Sequence, residues 1–464
     1  MLRLTPVDPV DTIWDALLPP EVSCLPEDLA RLDEILTHDS MLVPFQAHWD
    51  EAAQGQGRPT IPMAIYLRLM VVKHRTGWGY ETLVREVSDS LHLRRFCLLA
   101  LHHRTPHEST VRKLTRRLGS EVIDELIRGL IVSSLRERRF RPRAMRCDST
   151  VVAADIRYPT DSGLCGDAVK QLARVAKRLR ALMPRARQKV RDRSRAVGLR
   201  LRALSRSLKR RSGEAQPVVR KLTEEVADKV RASVLEARRL LAEAKGLISR
   251  AQGVSKSARR RAVSRLEEII VLAERVLEQV KKRFAGEKIP DRLVSLADAD
   301  ARPVRRGKRA RPNEFGYVMQ VTELTGHTQR GARGLILPPK LKAGSTHDNV
   351  LLPATVDELL ALGIKPKEAV FDGGFGSEAT AQAMHSLETE IFIVGRPHPS
   401  SRRTRRRLAR YRVGCEGRIA HLKREYGAGR SRLRGTDGAQ IWEGWTILAY
   451  NLDTVAGMKR KSAA

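Results

Sequence analysis

Three carboxylates in this chain stand where they could hold a cation. Asp148 lies in Arg146-Cys-Asp-Ser-Thr-Val-Val152, which reads as a buried strand running into a polar end. A carboxylate inside an apolar strand is costly unless it is paired or binds a cation; an aspartate here could also simply cap a turn through Ser149 and Thr150. Asp372 ends a second apparent core strand in Glu368-Ala-Val-Phe-Asp-Gly-Gly-Phe375. The Gly373-Gly374 pair lets the backbone approach closely and turn sharply, as a plain strand-to-helix turn would also require. The third acid should come from a helix near this sheet. Glu416 and Lys423 are seven residues apart, two helical turns, and share a face roughly 10 Å apart. Arg412, four residues before Glu416, joins that face. A surface ion pair of little worth is the other reading of this stripe. Glu425, nine residues past Glu416, points to the opposite face and is the fallback third acid. Three such carboxylates can hold two divalent ions ~3.5–4 Å apart. Oxygen donors favour Mg²⁺ or Mn²⁺ over zinc. The chemistry so served is in-line displacement at phosphorus, with water or a 3′-hydroxyl attacking.

The elements that must position these residues follow from periodicity and punctuation. Residues 11–120 read as helical. Leu29, Leu32, Ile35 and Leu36 mark one helical face. Gly57-Arg-Pro-Thr-Ile-Pro62 is a breaker cluster, after which Met63 to Lys73 is a dense apolar helix stopped near Gly77. Tyr80 to Ser90 reads as another. Thr105-Pro-His-Glu108 predicts an N-cap at Thr105 and a first turn at Pro106. The helix that follows buries Val111, Leu114 and Leu118 and projects Arg112, Lys113, Arg116 and Arg117 elsewhere. A capped, amphipathic, basic helix of this kind suits a DNA groove, although a packing helix with a solvated face has the same pattern. Val122 to Leu135 is a further apolar helix leading to the Asp148 strand. Strands are expected at Leu293–Leu296, Phe315–Val321, Gly334–Leu337, Glu368–Phe375 and Ile391–Val394, with helices at 348–362, 378–387 and from about Gly414.

Charge names the partner class. The 464 residues carry 87 Lys+Arg against 53 Asp+Glu, a net +34, which calls for a polyanion, most often nucleic acid. Anionic membrane is the competitor, but no apolar run approaches the ~18 residues of a spanning helix, and the N-terminus has no signal-peptide core. A soluble, cytoplasmic protein is expected. The five cysteines form no Cys-x-x-Cys pair, so neither a disulfide framework nor a zinc site is indicated. From Gly166 to about Ala297 the composition shifts to Ala, Leu, Arg, Glu and Val, with no Phe, Tyr or Trp from 159 to 283. Two or three long helices are expected, as an antiparallel coiled-coil hairpin turning near Gly213. Residues 171–211 hold 16 Lys/Arg and one acid, Asp192. Such a run can be a solvated face; this one is long enough to track a phosphate backbone. A second basic loop lies at 302–311, and residues 402–412 hold seven arginines.

The ordered set Arg-Cys-Asp148-Ser-Thr, Val-Phe-Asp372-Gly-Gly-Phe and Arg412-x3-Glu416-x6-Lys423 resembles the signatures of DDE transposases from bacterial insertion sequences. The order strand, strand, helix is similar to their RNase H-like domain. The block from Gly57 to Thr110 resembles their helical N-terminal domain, and Tyr158-Pro-Thr-Asp-Ser-Gly163 resembles a segment seen after the first Asp in one branch. The resemblance implies metal-ligand roles for Asp148, Asp372 and Glu416, and DNA-contact roles for Arg412 and Lys423. It also implies a homo-oligomer on paired element ends, with the terminal repeats and target DNA as partners, in a bacterial cytoplasm associated with the nucleoid. The chain departs from the pattern in places. Ala409 stands where relatives have a Tyr three before the Arg, with Tyr411 adjacent instead, and Phe375 stands where Tyr is frequent. The gap from Asp148 to Asp372 is 224 residues and that from Asp372 to Glu416 is 44, so an insertion interrupts the catalytic fold early.

The expected architecture is α/β: an RNase H-like mixed sheet (136–165 plus 298–455) interrupted by a basic helical insertion (166–297), after an all-α DNA-binding domain (1–135). The expected activity is metal-dependent DNA cleavage and strand transfer. A non-catalytic architectural DNA-binding protein and a metal-dependent nuclease without strand transfer are the alternatives. Neutralising several arginines within 171–211 should flatten the dependence of DNA affinity on salt, by about 0.9 in log–log slope for each phosphate no longer neutralised. An unchanged slope would make the run a solvated face.

Overall fold

The computed structural model describes residues 1–6, 17–19, 21, 24–49, 59–209, 215–249, 255–305, 313–395 and 401–458. The turn expected near Gly213, the Gly57-Arg58 break and residues 306–311 of the basic loop lie outside these. Two compact units emerge: residues 1–155 with 316–464, and residues 156–315.

The first unit begins with helices α1 (Glu27–Leu36), α2 (Met63–Thr76), α3 (Tyr80–Asp89), α4 (Leu91–Phe96), α5 (Glu108–Leu118) and α6 (Glu121–Arg136). Gly77 ends α2 in the left-handed region that favours glycine (φ 71°). The cap of α5 differs from expectation: His107, not Thr105, is the N-cap, its ring nitrogen accepting from the Ser109 N–H. Strand β1 (Ala144–Ala154) follows. It does not end at Asp148, because the apolar alternation continues through Val152 and the strand still has a full antiparallel partner there.

The second unit, taken alone, has four helices among the described residues: α7 (Asp161–Leu182), α8 (Ser194–Leu208), α9 (Ala215–Ser249) and α10 (Ser255–Phe284). The three long ones pack on one another and α8 packs on α9. Their core is small and aliphatic, with Leu172, Val230, Ala237, Ile269 and Val276 buried, as the absence of aromatics requires. Leu293–Leu296 is not a strand; Leu293 and Leu296 fill this helical core, and Gln279 holds Leu293 by its backbone N–H and carbonyl. Part of the basic run is neutralised internally. Arg193 pairs with Glu236 (2.5 Å) and Arg200 with Glu225 (2.7 Å).

The chain then completes the sheet of the first unit with β2 (Glu314–Thr325), β3 (Leu335–Ile336), β4 (Lys340–Ala343), β5 (Glu368–Phe371), β6 (Ile391–Val394) and β7 (Arg430–Ser431). Helices α11 (Leu352–Ala361), α12 (Glu378–Ser386), α13 (Arg402–Glu425) and α14 (Gly435–Ala456) accompany them. β2 lies antiparallel to β1, β5 parallel to β1 on its other side, and β6 parallel to β5. α13 begins at Arg402 rather than near Gly414: Ser401 caps it, its hydroxyl accepting from the Thr404 N–H. α14 is buried almost all round and packs on α2, α6, β3 and β4. No helix among the described residues is long and apolar enough to cross a membrane.

Within α14, Glu443 is fully buried and neither carboxyl oxygen has a hydrogen-bond partner. Burial pushes its pKa well above the usual 4.5, against the opposing pull of Lys423. Below that usual value both folded and unfolded chains hold the proton. Above it the unfolded chain releases a proton that folding must take back, so the cost grows with pH. Glu443→Gln should therefore raise the melting temperature at about pH 8, and the gain should vanish as the pH falls below the usual value. A gain independent of pH would show that Glu443 ionises in the folded chain.

Candidate active site

β1 and β5 bring two of the three expected carboxylates side by side. Their parallel register pairs Cys147 with Phe371. Asp148 on β1 and Asp372, just past the end of β5, are the next residues along these strands, which lie about 4.8 Å apart. β5 stops at Phe371, whereas β1 runs on and meets β7 only at Ala153. The edge of β1 between them forms a notch. Asp148 is half-buried there, and its Oδ1 accepts from the Ser149 N–H at 2.7 Å.

α13 packs over this part of the sheet. Leu408, Tyr411, Cys415 and Leu422 are its buried residues, a helical spacing that leaves Arg412, Glu416 and Lys423 on a neighbouring stripe. Arg412 Nη1 sits 3.1 Å from Asp372 Oδ1 and 4.0 Å from Glu416 Oε1. Lys423 turns inward: its Nζ donates to the Val151 carbonyl at 3.0 Å, at the stretch of β1 that β5 no longer covers. Cys415 lies below; burial, then the nearby Asp148 carboxylate, hold its thiol well above the usual range. Glu425 instead meets its neighbour Arg424, away from the stripe.

The helix is fixed by charges the sequence analysis did not single out. Arg146 on β1 and Glu323 on β2 are cross-strand partners and both are buried. Arg146 Nη2 reaches Glu323 Oε2 at 2.6 Å, and Arg418 of α13 reaches Oε1 at 3.0 Å. The Gly334 N–H also donates to Oε1. Arg146 donates further to the carbonyls of Tyr411 and Ala332, and Tyr411 hydroxyl meets Thr325 Oγ1 at 2.6 Å. The signal was present as charged residues inside two apolar strands, at Arg146 and Glu323. Asp348 was missed as well. Its carboxylate rests against Gly374, where a Cβ would overlap it, and it acts with Asp148 on the buried Cys147 thiol, which burial chiefly pushes up to about 12. Gly374, lacking a Cβ, thus leaves room for a fourth carboxylate.

This donor set suits a hard divalent cation. It offers only carboxylate oxygens, and a guanidinium already stands between Asp372 and Glu416 as a cation would. Among the described residues no three His, Cys, Asp or Glu side chains form a group that could hold a metal ion.

Elsewhere, α5 exposes Arg112, Lys113 and Arg116. Arg112 is tied to Glu108 and lies over the Tyr80 ring, while Lys113 and Arg116 meet no carboxylate among the described residues.

Gly414 tests the anchoring of α13. A Cβ there would overlap the Arg146 guanidinium. Helix propensity alone favours Gly414→Ala by about 1 kcal/mol; the expected result is instead a loss of roughly 2 kcal/mol in urea denaturation. A stabilised variant would mean that Arg146 does not sit under the helix.

Comparison with known families gives two matches. A transposase domain (DUF772) matches residues 16–117, and a transposase DDE domain, which is RNase H-like, matches residues 314–452. No curated protein and no solved structure matches the chain. The two domains occur in the expected order and flank the helical insertion, and neither supports a protein that binds DNA without acting on it. The chain belongs to the DDE transposases of insertion sequences, divalent-metal-dependent enzymes that cut DNA and transfer the cut strand.

Proposed function

We propose that Asp148, Asp372 and Glu416 are the acidic triad of this transposase, and that Mg²⁺ or Mn²⁺ is the ion they hold. The observation that carries the reading is the adjacent register of Asp148 and Asp372, with Arg412 linking Asp372 to Glu416. A bound divalent ion supplies Lewis acidity, making the attacking hydroxyl a better nucleophile and stabilising the leaving oxygen. The chain's own residues do the positioning. Asp148 is fixed by a buried strand, Asp372 by the glycine turn, and Glu416 by the helix that Arg146 and Arg418 anchor. Arg412, which meets the acids through Nη1 alone, can offer a phosphate a flat, two-pronged donor. Lys423 supplies a point charge beside the notch.

The same reading assigns residues 1–135 to recognition of the element ends, with Arg112, Lys113 and Arg116 of α5 toward DNA. It assigns 136–165 plus 298–455 to catalysis, and the basic insertion 166–297 to DNA backbone and to self-association on paired ends. Glu425 is the less favoured third acid, because it faces away from Asp372.

The test is cleavage and strand transfer on DNA carrying the element's own ends, in Mg²⁺ and in Mn²⁺. Asp148→Asn, Asp372→Asn and Glu416→Gln should each lower cleavage about a hundredfold or more while DNA binding persists. Wild-type cutting by any one of them removes that residue from the site. Cut ends that are never joined to new DNA would favour a nuclease.

A further inference from the structure

The arginine run 402–412 has no role so far beyond Arg412. Because α13 starts at Arg402, the run is a helical surface. Its first two turns, with Arg330 of a nearby loop, line an open cavity of about 640 Å³. Six arginines face it: Arg330, Arg402, Arg403, Arg406, Arg407 and Arg410. Only Arg407 is neutralised. It meets Glu368 in a two-pronged pair and contacts Thr328, forming a tied-down floor. Among the described residues, none of the other five meets a carboxylate. No Asp or Glu occurs between Glu390 and Glu416.

This arrangement works against the stability of the isolated protein. Arg402 and Arg403 stand in the first turn of a 24-residue helix, where the backbone dipole is already positive. Arg402, Arg406 and Arg410 repeat at four-residue intervals, a spacing at which like charges repel. The repulsion is relieved only by an anion, and guanidinium groups suit phosphate oxygens best. The row also has length. The eight residue steps from Arg402 to Arg410 span about 12 Å along the axis, enough to meet more than one phosphate of a DNA strand. A lone phosphate would need only two or three converging groups.

We propose that this arginine-lined groove grips the phosphate backbone of the substrate DNA, away from the phosphate under attack. Arg406 and Glu416 are ten residues apart on one helix, about 15 Å, a distance of a few phosphates along a strand. The arginine row lies about a third of a turn round α13 from Arg412 and Glu416, so the strand crosses the helix obliquely between them. That register rests on the assignment of Glu416 to the acidic triad; the binding itself does not.

The experiment uses the full-length chain with Arg403, Arg406 and Arg410 changed together to Gln, and a second version with all three changed to Lys. DNA affinity is measured against salt, and on end duplexes bearing single neutral methylphosphonates stepped outward from the cleavage point on both sides. The Gln variant should lower the log–log salt slope by about 2 to 3, and the Lys variant should largely keep it. Methylphosphonates at a defined position a few steps from the cut should weaken wild type several-fold and leave the Gln variant unaffected. An unchanged slope, an equal loss in the Lys variant, or the same methylphosphonate pattern in wild type and the Gln variant overturns the groove. Full competition by millimolar inorganic phosphate, with no dependence on methylphosphonate position, would make it a small-anion site and overturn it too. A wild type that never cuts DNA but shows the expected slope change would sink the catalytic reading and leave the groove standing.

Discussion

Glu323 is the hinge of the catalytic unit. Its fully buried carboxylate accepts from Arg146 on the neighbouring strand, Arg418 on α13 and the Gly334 N–H. A buried charge is tolerable only when such a set is complete, because each unpaired member costs several kcal/mol. The set therefore has one solution. It ties β1 to β2 by the side chains as well as the backbone, and holds α13 at one height and one rotation over the sheet. Gly414 is the matching concession: a helix interior gives up an alanine's propensity so that the Arg146 guanidinium can lie beneath it. Arg412, Glu416 and Lys423 of α13 inherit their positions from this contact.

The notch follows from a difference in strand length. β1 runs eleven residues, and β5 covers only its first part before ending in Asp372 and a glycine turn. Where the ladder stops, carbonyls of β1 lose their strand partners, and Lys423 takes one of them at Val151. The same break puts Asp372 level with Asp148. Carboxylates so placed repel one another, and Arg412 stands between two of them in the structure. The site is thus organised around positive charge even in the protein alone.

The large positive charge of the chain is not one feature. Some of it is structural, as in Arg146, which is buried, and Arg418, which is half-buried against Glu323. Some is cancelled within the insertion, where Arg193 and Arg200 meet acids of α9. What remains uncompensated includes arginines at the start of α13, the part that we propose meets DNA. Net charge alone could not make this separation.

The sequence by itself determined the order of elements, the helical character of the N-terminal block and insertion, and the ordered Asp, Asp, Glu set. These depend on short-range rules: periodicity, caps, glycine breaks and motif spacing. It misplaced what depends on long-range contacts. Leu293–Leu296 has a strand's composition, but its apolar side chains are used by a helical core. The start of α13 was set too late, because an arginine run carries no apolar periodicity until Leu408 and Tyr411 are seen to pack on the sheet. Only the tertiary structure decided that Asp148 and Asp372 are register neighbours across a 224-residue gap, and that Asp348 lies on Gly374. Strand register and buried ion networks are set by which distant segments share a dielectric interior, and no local pattern encodes that pairing.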